Sequence, residues 1–154
     1  MDRVPESFAT VEILQWIAYE RDAAWTAKLA ILRARRREDI AHFGASLREH
    51  DRHAGELAML ARLTDPAAQV PTDPCFVTEE PFVVGAIDDP ATLVEAMDRL
   101  EAVRIDRYEQ RRRGVDGGPG SLLDRLLERH LADTRARLAS LRDLREARRS
   151  SIAA

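Results

Sequence analysis

Residues 64–90 read TDPAAQVPTDPCFVTEEPFVVGAIDDP, and this stretch holds five of the seven prolines in a chain of 154 residues. Proline removes a backbone donor and restricts the residue before it, so the stretch predicts a connection without regular helix over residues 64–89. Asp89 is placed to cap a following helix that has Pro90 at its first position. The connection therefore divides the chain into an earlier and a later part.

Each part carries apolar residues at steps of three and four, the spacing typical of an amphipathic helix. The pattern predicts four helices, over about residues 9–35, 38–63, 90–113 and 121–148. A tight turn is expected near Arg36 to Glu38, and the sequence GVDGGPG at 114–120 separates the last two helices.

Two helical hairpins joined by a connection long enough to run the length of a bundle predict an all-α fold. The arrangement is an antiparallel, ferritin-like four-helix bundle that forms a single domain over residues 1–154. Other all-α arrangements fit the same periodicity. Helix one also carries apolar residues outside its main stripe, Trp16, Tyr19 and Ala23, which favours a second buried surface and a homodimer.

Composition limits the class of protein. Apolar residues make up 45% and charged residues 33%, as in a folded, mostly helical chain. The apolar runs are too short for a membrane span, the N-terminus lacks a signal-peptide pattern, and Cys75 is the single cysteine, so we expect a cytoplasmic protein. The net charge of −3 gives no general reason to expect nucleic acid as a partner. The frequent arginine and alanine residues suggest a GC-rich bacterial genome.

Several polar residues fall on the apolar faces, where a charge is costly unless it is paired or bound to a metal. They are Glu20 in helix one, His50 with His53 at the margin in helix two, Glu101 and Arg104 in helix three, and His130 flanked by Asp133 in helix four. Glu20, His50, Glu101 and His130 lie near the midpoints of their helices. Antiparallel packing therefore predicts that these four meet at one level of the core.

The stretch IAHFGASLREHDRHAGEL, residues 40–57, resembles the second helix of the ferritin and rubrerythrin-like superfamily. There a phenylalanine precedes a Glu-x-x-His-Ala-x-x-Leu motif, and His53, Ala54 and Leu57 match it. His50 stands where that family has its bridging glutamate. The resemblance implies a metal centre in the middle of the bundle, linked to iron or oxidative-stress handling.

The same resemblance extends to the other helices. Glu20 matches the helix-one glutamate and Glu101 the helix-three glutamate, in the segment LVEAMDRLEAVRIDRYEQ that also brings Arg104 and Tyr108 near the site. On helix four the family's Glu-x-x-His is replaced by His130 and Asp133. Fewer carboxylates are present than in a conventional di-iron centre.

Two functional hypotheses follow. In the first, one or two Fe or Zn ions bind through six residues, Glu20, His50, His53, Glu101, His130 and Asp133. In the second, the protein binds no metal and is a structural or interaction module, in which Arg104 neutralises Glu20 and Glu101. Removing Arg104 should then destabilise the fold severely.

Simpler interpretations of single residues remain open. His42 is expected at the surface, and His53 could also be an exposed helical histidine. Tyr108 and Trp25 are more typical of core packing than of cofactor contacts. Cys75 has no adjacent base, so a packed or exposed thiol is expected rather than a catalytic one.

Overall fold

The computed structural model describes residues 8–114 and 120–154, and within these ranges the chain is helical and has no strand. The helices are α1 (Phe8–Arg33), α2 (Arg37–Thr64), α3 (Glu80–Gly85), α4 (Pro90–Arg113) and α5 (Leu122–Ala153). The predicted all-α class is confirmed, and the four long helices agree with the predicted ranges to within a few residues. Of the predicted GVDGGPG break, residues 115–119 lie outside the described part of the chain.

The helices belong to two units, the first ending at Ala86 and the second beginning at Ile87. In the first unit, α1 and α2 form a helical hairpin whose connection is residues 34–36. The turn lies slightly earlier than the predicted one, because Arg36 is the extended N-cap residue and α2 already begins at Arg37. Glu38 and Asp39 in the first turn of α2 favour this start, since their charge complements the helix dipole.

Small side chains let α1 and α2 pack closely. The buried apolar residues of the hairpin include Ile13, Ile17, Ala24, Ala27 and Ala30 on α1 and Phe43, Ala54, Leu57, Ala58 and Ala61 on α2. Alanine costs no side-chain entropy on burial, so this interface orders the hairpin cheaply. It also brings the polar side chains on the same faces into direct contact.

The connection contains a helix that the sequence pattern did not predict. We expected no regular helix over 64–89, yet residues Glu80–Gly85 form α3. The reason is the position of Pro81, which lies in the first turn, where a backbone N–H has no partner within the helix and its loss costs nothing.

Asp22 on α1 holds the stretch before α3 in place. Its carboxylate accepts hydrogen bonds from the backbone N–H of Cys75 and Phe76, both at 2.8 Å, and from that of Thr78 at 2.9 Å. Asp22 is fully buried, although helical periodicity places it on a polar edge of α1. Phe76 adopts a left-handed backbone conformation with φ 53°, which is strained for a bulky residue.

The second unit is the hairpin of α4 and α5. Asp89 caps α4 as predicted, accepting from the N–H of Thr92 at 2.9 Å, and Ser121 and Asp124 form a capping box at the start of α5. Ion pairs follow an antiparallel register along the two helices, joining Arg111 to Asp124, Arg112 to Glu128, Glu101 to Arg137 and Asp98 to Arg142. Helix α5 continues past the predicted end near residue 148 to Ala153, because neither glycine nor proline interrupts it.

Candidate metal centre

Glu20 and His50 face each other across the α1–α2 hairpin. Glu20 is as far from the end of α1 at Arg33 as His50 is from the start of α2 at Arg37, so antiparallel helices bring them level. The Nδ1 atom of His50 lies 2.6 Å from Oε2 of Glu20, and the two side chains are only 2% and 5% exposed. This short contact is a buried, charge-assisted hydrogen bond.

Glu20 is held in its ionised form. Burial alone would raise the pKa of this carboxyl group. The charge of His50 and the hydrogen bonds with His50 and His53 outweigh that effect, and they hold the pKa of Glu20 well below its usual value. A carboxylate can only accept, so Nδ1 of His50 carries the hydrogen in this contact.

His53 lies one turn further along α2 and shares the same acceptor. Its Nδ1 atom is 3.5 Å from Oε2 of Glu20, and its side chain is fully buried. The interpretation of His53 as an exposed helical histidine is therefore wrong. One carboxylate oxygen serves two imidazole rings.

The residues present fit a metal ion by the chemistry of their donor atoms. Glu20, His50 and His53 each offer one ligand atom, all within 4.8 Å of one another. Donors bonded to a tetrahedral zinc ion at about 2.0–2.2 Å stand roughly 3.3 Å apart, close to the separation between Glu20 and His53. The shorter contact of His50 contains a hydrogen, which an ion bound at Nδ1 would replace. Two imidazoles and one carboxylate form the donor set of many mononuclear Fe(II) and Zn(II) sites.

Glu101, the predicted carboxylate of helix three, is buried among cations instead. Arg137 on α5 donates to both of its oxygens, from Nε at 2.8 Å and from Nη2 at 3.0 Å. Arg104 adds a third contact at 2.8 Å from Nη1 to Oε1. All three side chains are buried, so an ion bound at Glu101 would have to displace two guanidinium groups.

The remaining predicted residues lie in the second unit. His130 is fully buried, and its carbonyl accepts from the Thr134 hydroxyl at 2.8 Å. Asp133 is half-buried next in the helix. That His130, Asp133 and Glu101 share a level of the core with Glu20 and His50 stays a prediction.

The aromatic residues divide. Tyr108 is buried, as expected for a core residue. Trp25 was expected in the core and this is wrong: it is 37% exposed, with Nζ of Lys28 5.7 Å from the centre of its ring. The face of α1 that carries Trp25 is turned towards solvent. Tyr19 and His42 are half-buried.

Cys75 does not have the properties of a nucleophile. The thiol is exposed, and the described residues give it no base. Partial desolvation, together with the negative charge of Asp22, raises its pKa. The expectation of a non-catalytic thiol therefore agrees with its surroundings.

Arg137 is the residue that sequence reasoning missed. It follows His130 and Thr134 at helical steps along the stripe of α5 that also carries Leu127 and Leu141, so its position alone indicates burial. The abundance of arginine in α5 hid this signal. Asp98 was missed for the same reason, and it is held by Arg142 at 3.2 Å and by Arg145 at 2.8 Å.

Comparisons with protein-family models, with curated proteins and with solved structures each gave no match for this chain. The resemblance to ferritin-like proteins therefore stays a prediction. Among the described residues, no helix combines the length and the apolar character needed to cross a lipid bilayer.

Proposed function

We propose that the protein binds one divalent metal ion, Fe(II) or Zn(II), through Glu20, His50 and His53. The observation that carries the proposal is the meeting of two buried imidazoles at one buried, ionised carboxylate oxygen. A buried carboxylate of this kind needs a cationic partner, and a metal ion meets that need more fully than a neutral ring does.

Charge favours one ion rather than two. One carboxylate and two neutral imidazoles carry a single negative charge, which leaves a pair of divalent ions largely uncompensated in a buried site. Glu101 cannot add a second negative charge, because Arg104 and Arg137 already neutralise it. The proposed centre thus uses three of the six predicted ligands.

Three protein ligands leave part of the coordination sphere of the ion open. When bound there, the ion would supply Lewis acidity or, as iron, a route to the reduction of oxygen or peroxide. The chain's own contribution is to fix the donors. Glu20 keeps its charge, and the α1–α2 hairpin holds the two imidazoles beside it.

The test is elemental analysis of protein purified without a metal-affinity tag, followed by titration of the metal-free protein with Co(II). We expect about one ion per chain and absorption bands of nitrogen and oxygen ligation. Each of Glu20→Gln, His50→Gln and His53→Gln should weaken Co(II) binding at least tenfold.

His42→Gln is the matched control, since it removes a histidine from the same helix that lies outside the cluster. Its Co(II) affinity should equal that of the wild type. Absence of metal, combined with no change of melting temperature on adding Fe(II), Zn(II) or Co(II), would contradict the proposal, because an ion that binds only the folded state must stabilise it.

A second candidate is a metal-free structural or interaction module of the same fold. The observation that favours it is the complete pairing of Glu101 by two guanidiniums, which shows that part of the polar core is balanced within the protein. Under this candidate, His50→Gln and His53→Gln leave ion binding unchanged at zero. They lower the melting temperature only through the lost hydrogen bonds to Glu20.

We also propose that the two hairpins together make a ferritin-like four-helix bundle that assembles as a homodimer in a bacterial cytoplasm. The support is the loop order of the chain, which is short, long and short. Light scattering coupled to size-exclusion chromatography measures the oligomeric state, and a monomer at micromolar concentration would contradict this part of the proposal.

A further inference from the structure

Two polar atoms on the buried face of α2 have no hydrogen-bond partner among the described residues. They are Oγ of Ser46 and Nε2 of His50. Ser46 is 1% exposed and His50 is 2% exposed, so bulk water does not satisfy either atom. Buried polar groups are almost always hydrogen-bonded in native proteins, and two unpartnered atoms close in sequence need an explanation.

The helix places these atoms near each other. Ser46 and His50 are four residues apart, which is about one turn, so both lie on the same face. Side chains of a helix lean towards its N-terminus, and the ring of His50 therefore leans towards the turn that carries Ser46. Glu20 fixes the ring by its Nδ1 edge, which leaves Nε2 on the side away from Glu20.

We propose that the Ser46 hydroxyl and His50 Nε2 form a second buried site, which binds one neutral, hydrogen-bonding ligand of the size of a water molecule. A hydroxyl and a water molecule each donate and accept. They satisfy Nε2 whether it carries a lone pair or a hydrogen. An apolar occupant would leave both atoms unsatisfied, so the chemistry selects a polar one.

This site gives Ser46 a positioning role towards the metal centre, and this part rests on the proposed function. An ion bound at Nδ1 leaves Nε2 as the only other nitrogen of the ring. Histidine ligands almost always bond through their second nitrogen to an outer partner, and loss of that partner weakens metal binding about 10- to 100-fold. Ser46 supplies that partner through the bridging ligand.

The first experiment uses metal-free protein labelled with ¹⁵N, in which long-range proton–nitrogen correlations report both ring nitrogens of His50. Ser46→Ala should shift the Nε2 resonance of His50, and Ser46→Thr, which keeps the hydroxyl, should leave it close to its wild-type position. Thr26→Val is the matched control, because it removes a buried hydroxyl that donates within its own helix to the carbonyl of Asp22. It should not shift Nε2.

Ser46→Ala is expected to fold, since alanine is the strongest helix former and the lost hydroxyl has no protein partner. Ser46→Cys, which keeps the volume and weakens the hydrogen bond, replaces it if folding fails. An unchanged Nε2 resonance in the folded variant overturns the second site.

The second experiment titrates the same proteins with Co(II), and we expect about tenfold weaker binding by Ser46→Ala than by Thr26→Val. Equal affinities overturn the positioning role of Ser46. If the wild-type protein binds no Co(II) while the Nε2 resonance still responds to Ser46→Ala, the proposed metal function fails and the second site stands.

Discussion

Replacing Arg137 by methionine should destabilise the protein more than the same replacement of Arg104. Both guanidiniums contact Glu101, but Arg137 makes two hydrogen bonds to it and Arg104 makes one. Methionine retains an apolar stem, so each change removes mainly the charged head. The sequence alone assigned the neutralising role to Arg104.

The magnitudes follow from what each variant leaves behind. A hydrogen bond to a charged group contributes about 1.5–3 kcal/mol, and Glu101 keeps one guanidinium in either variant. We expect a loss of about 3 kcal/mol for Arg137→Met and about 1 kcal/mol for Arg104→Met. Glu101→Gln leaves two buried cations without their anion, so its cost should reach about 4 kcal/mol.

Urea unfolding followed by far-ultraviolet circular dichroism measures these free energies, provided that the dependence on urea stays the same among variants. Arg142→Met serves as control. Its side chain is 58% exposed beside Asp98, so its loss should cost less than about 1 kcal/mol. The reasoning is refuted if Arg104→Met costs as much as Arg137→Met, or if Glu101→Gln costs no more than the control.

Three further predictions concern the first unit. The lowered pKa of Glu20 means that its ionisation stabilises the fold above the unfolded value of about pH 4.3 and that this stability is lost as the pH falls through the folded value; the unfolding free energies of wild type and Glu20→Gln should therefore differ most near pH 7 and converge below pH 4, whereas a pH-independent difference would count against this. Asp22→Ala should cost about 2 kcal/mol and speed the reaction of Cys75 with a thiol reagent, because three backbone N–H groups lose their acceptor; an unchanged rate would show that Asp22 does not hold the connection. At Phe76, glycine should be about 1 kcal/mol more stable than alanine in thermal unfolding, since φ is positive there, and the reverse order would exclude backbone strain.

The sequence predicted the long helices because their signals are local. Apolar spacing defined α1 and α2, and Asp89 followed by Pro90 marked the start of α4. It missed α3 because Pro81 suggests a break unless its position in the first turn is known. Local composition carries no information on that position.

The candidate site was predictable only in part. Glu20 and His50 face inward because helical periodicity and an antiparallel register fix both. The burial of Asp22 was not predictable, since it depends on backbone groups more than 50 residues away in the sequence. The pairing of Glu101 with Arg137 likewise depends on the register between α4 and α5, which no single helix contains.

The three proposed donors all precede residue 64 and belong to two helices closed by residues 34–36. A short closure costs little chain entropy, and contacts between such neighbours form early in folding. We expect pulse-labelled hydrogen exchange to show protection around Glu20 and His50 in the first refolding phase. On the ribosome, the nascent chain would then already hold a complete set of donors before α4 and α5 have been translated.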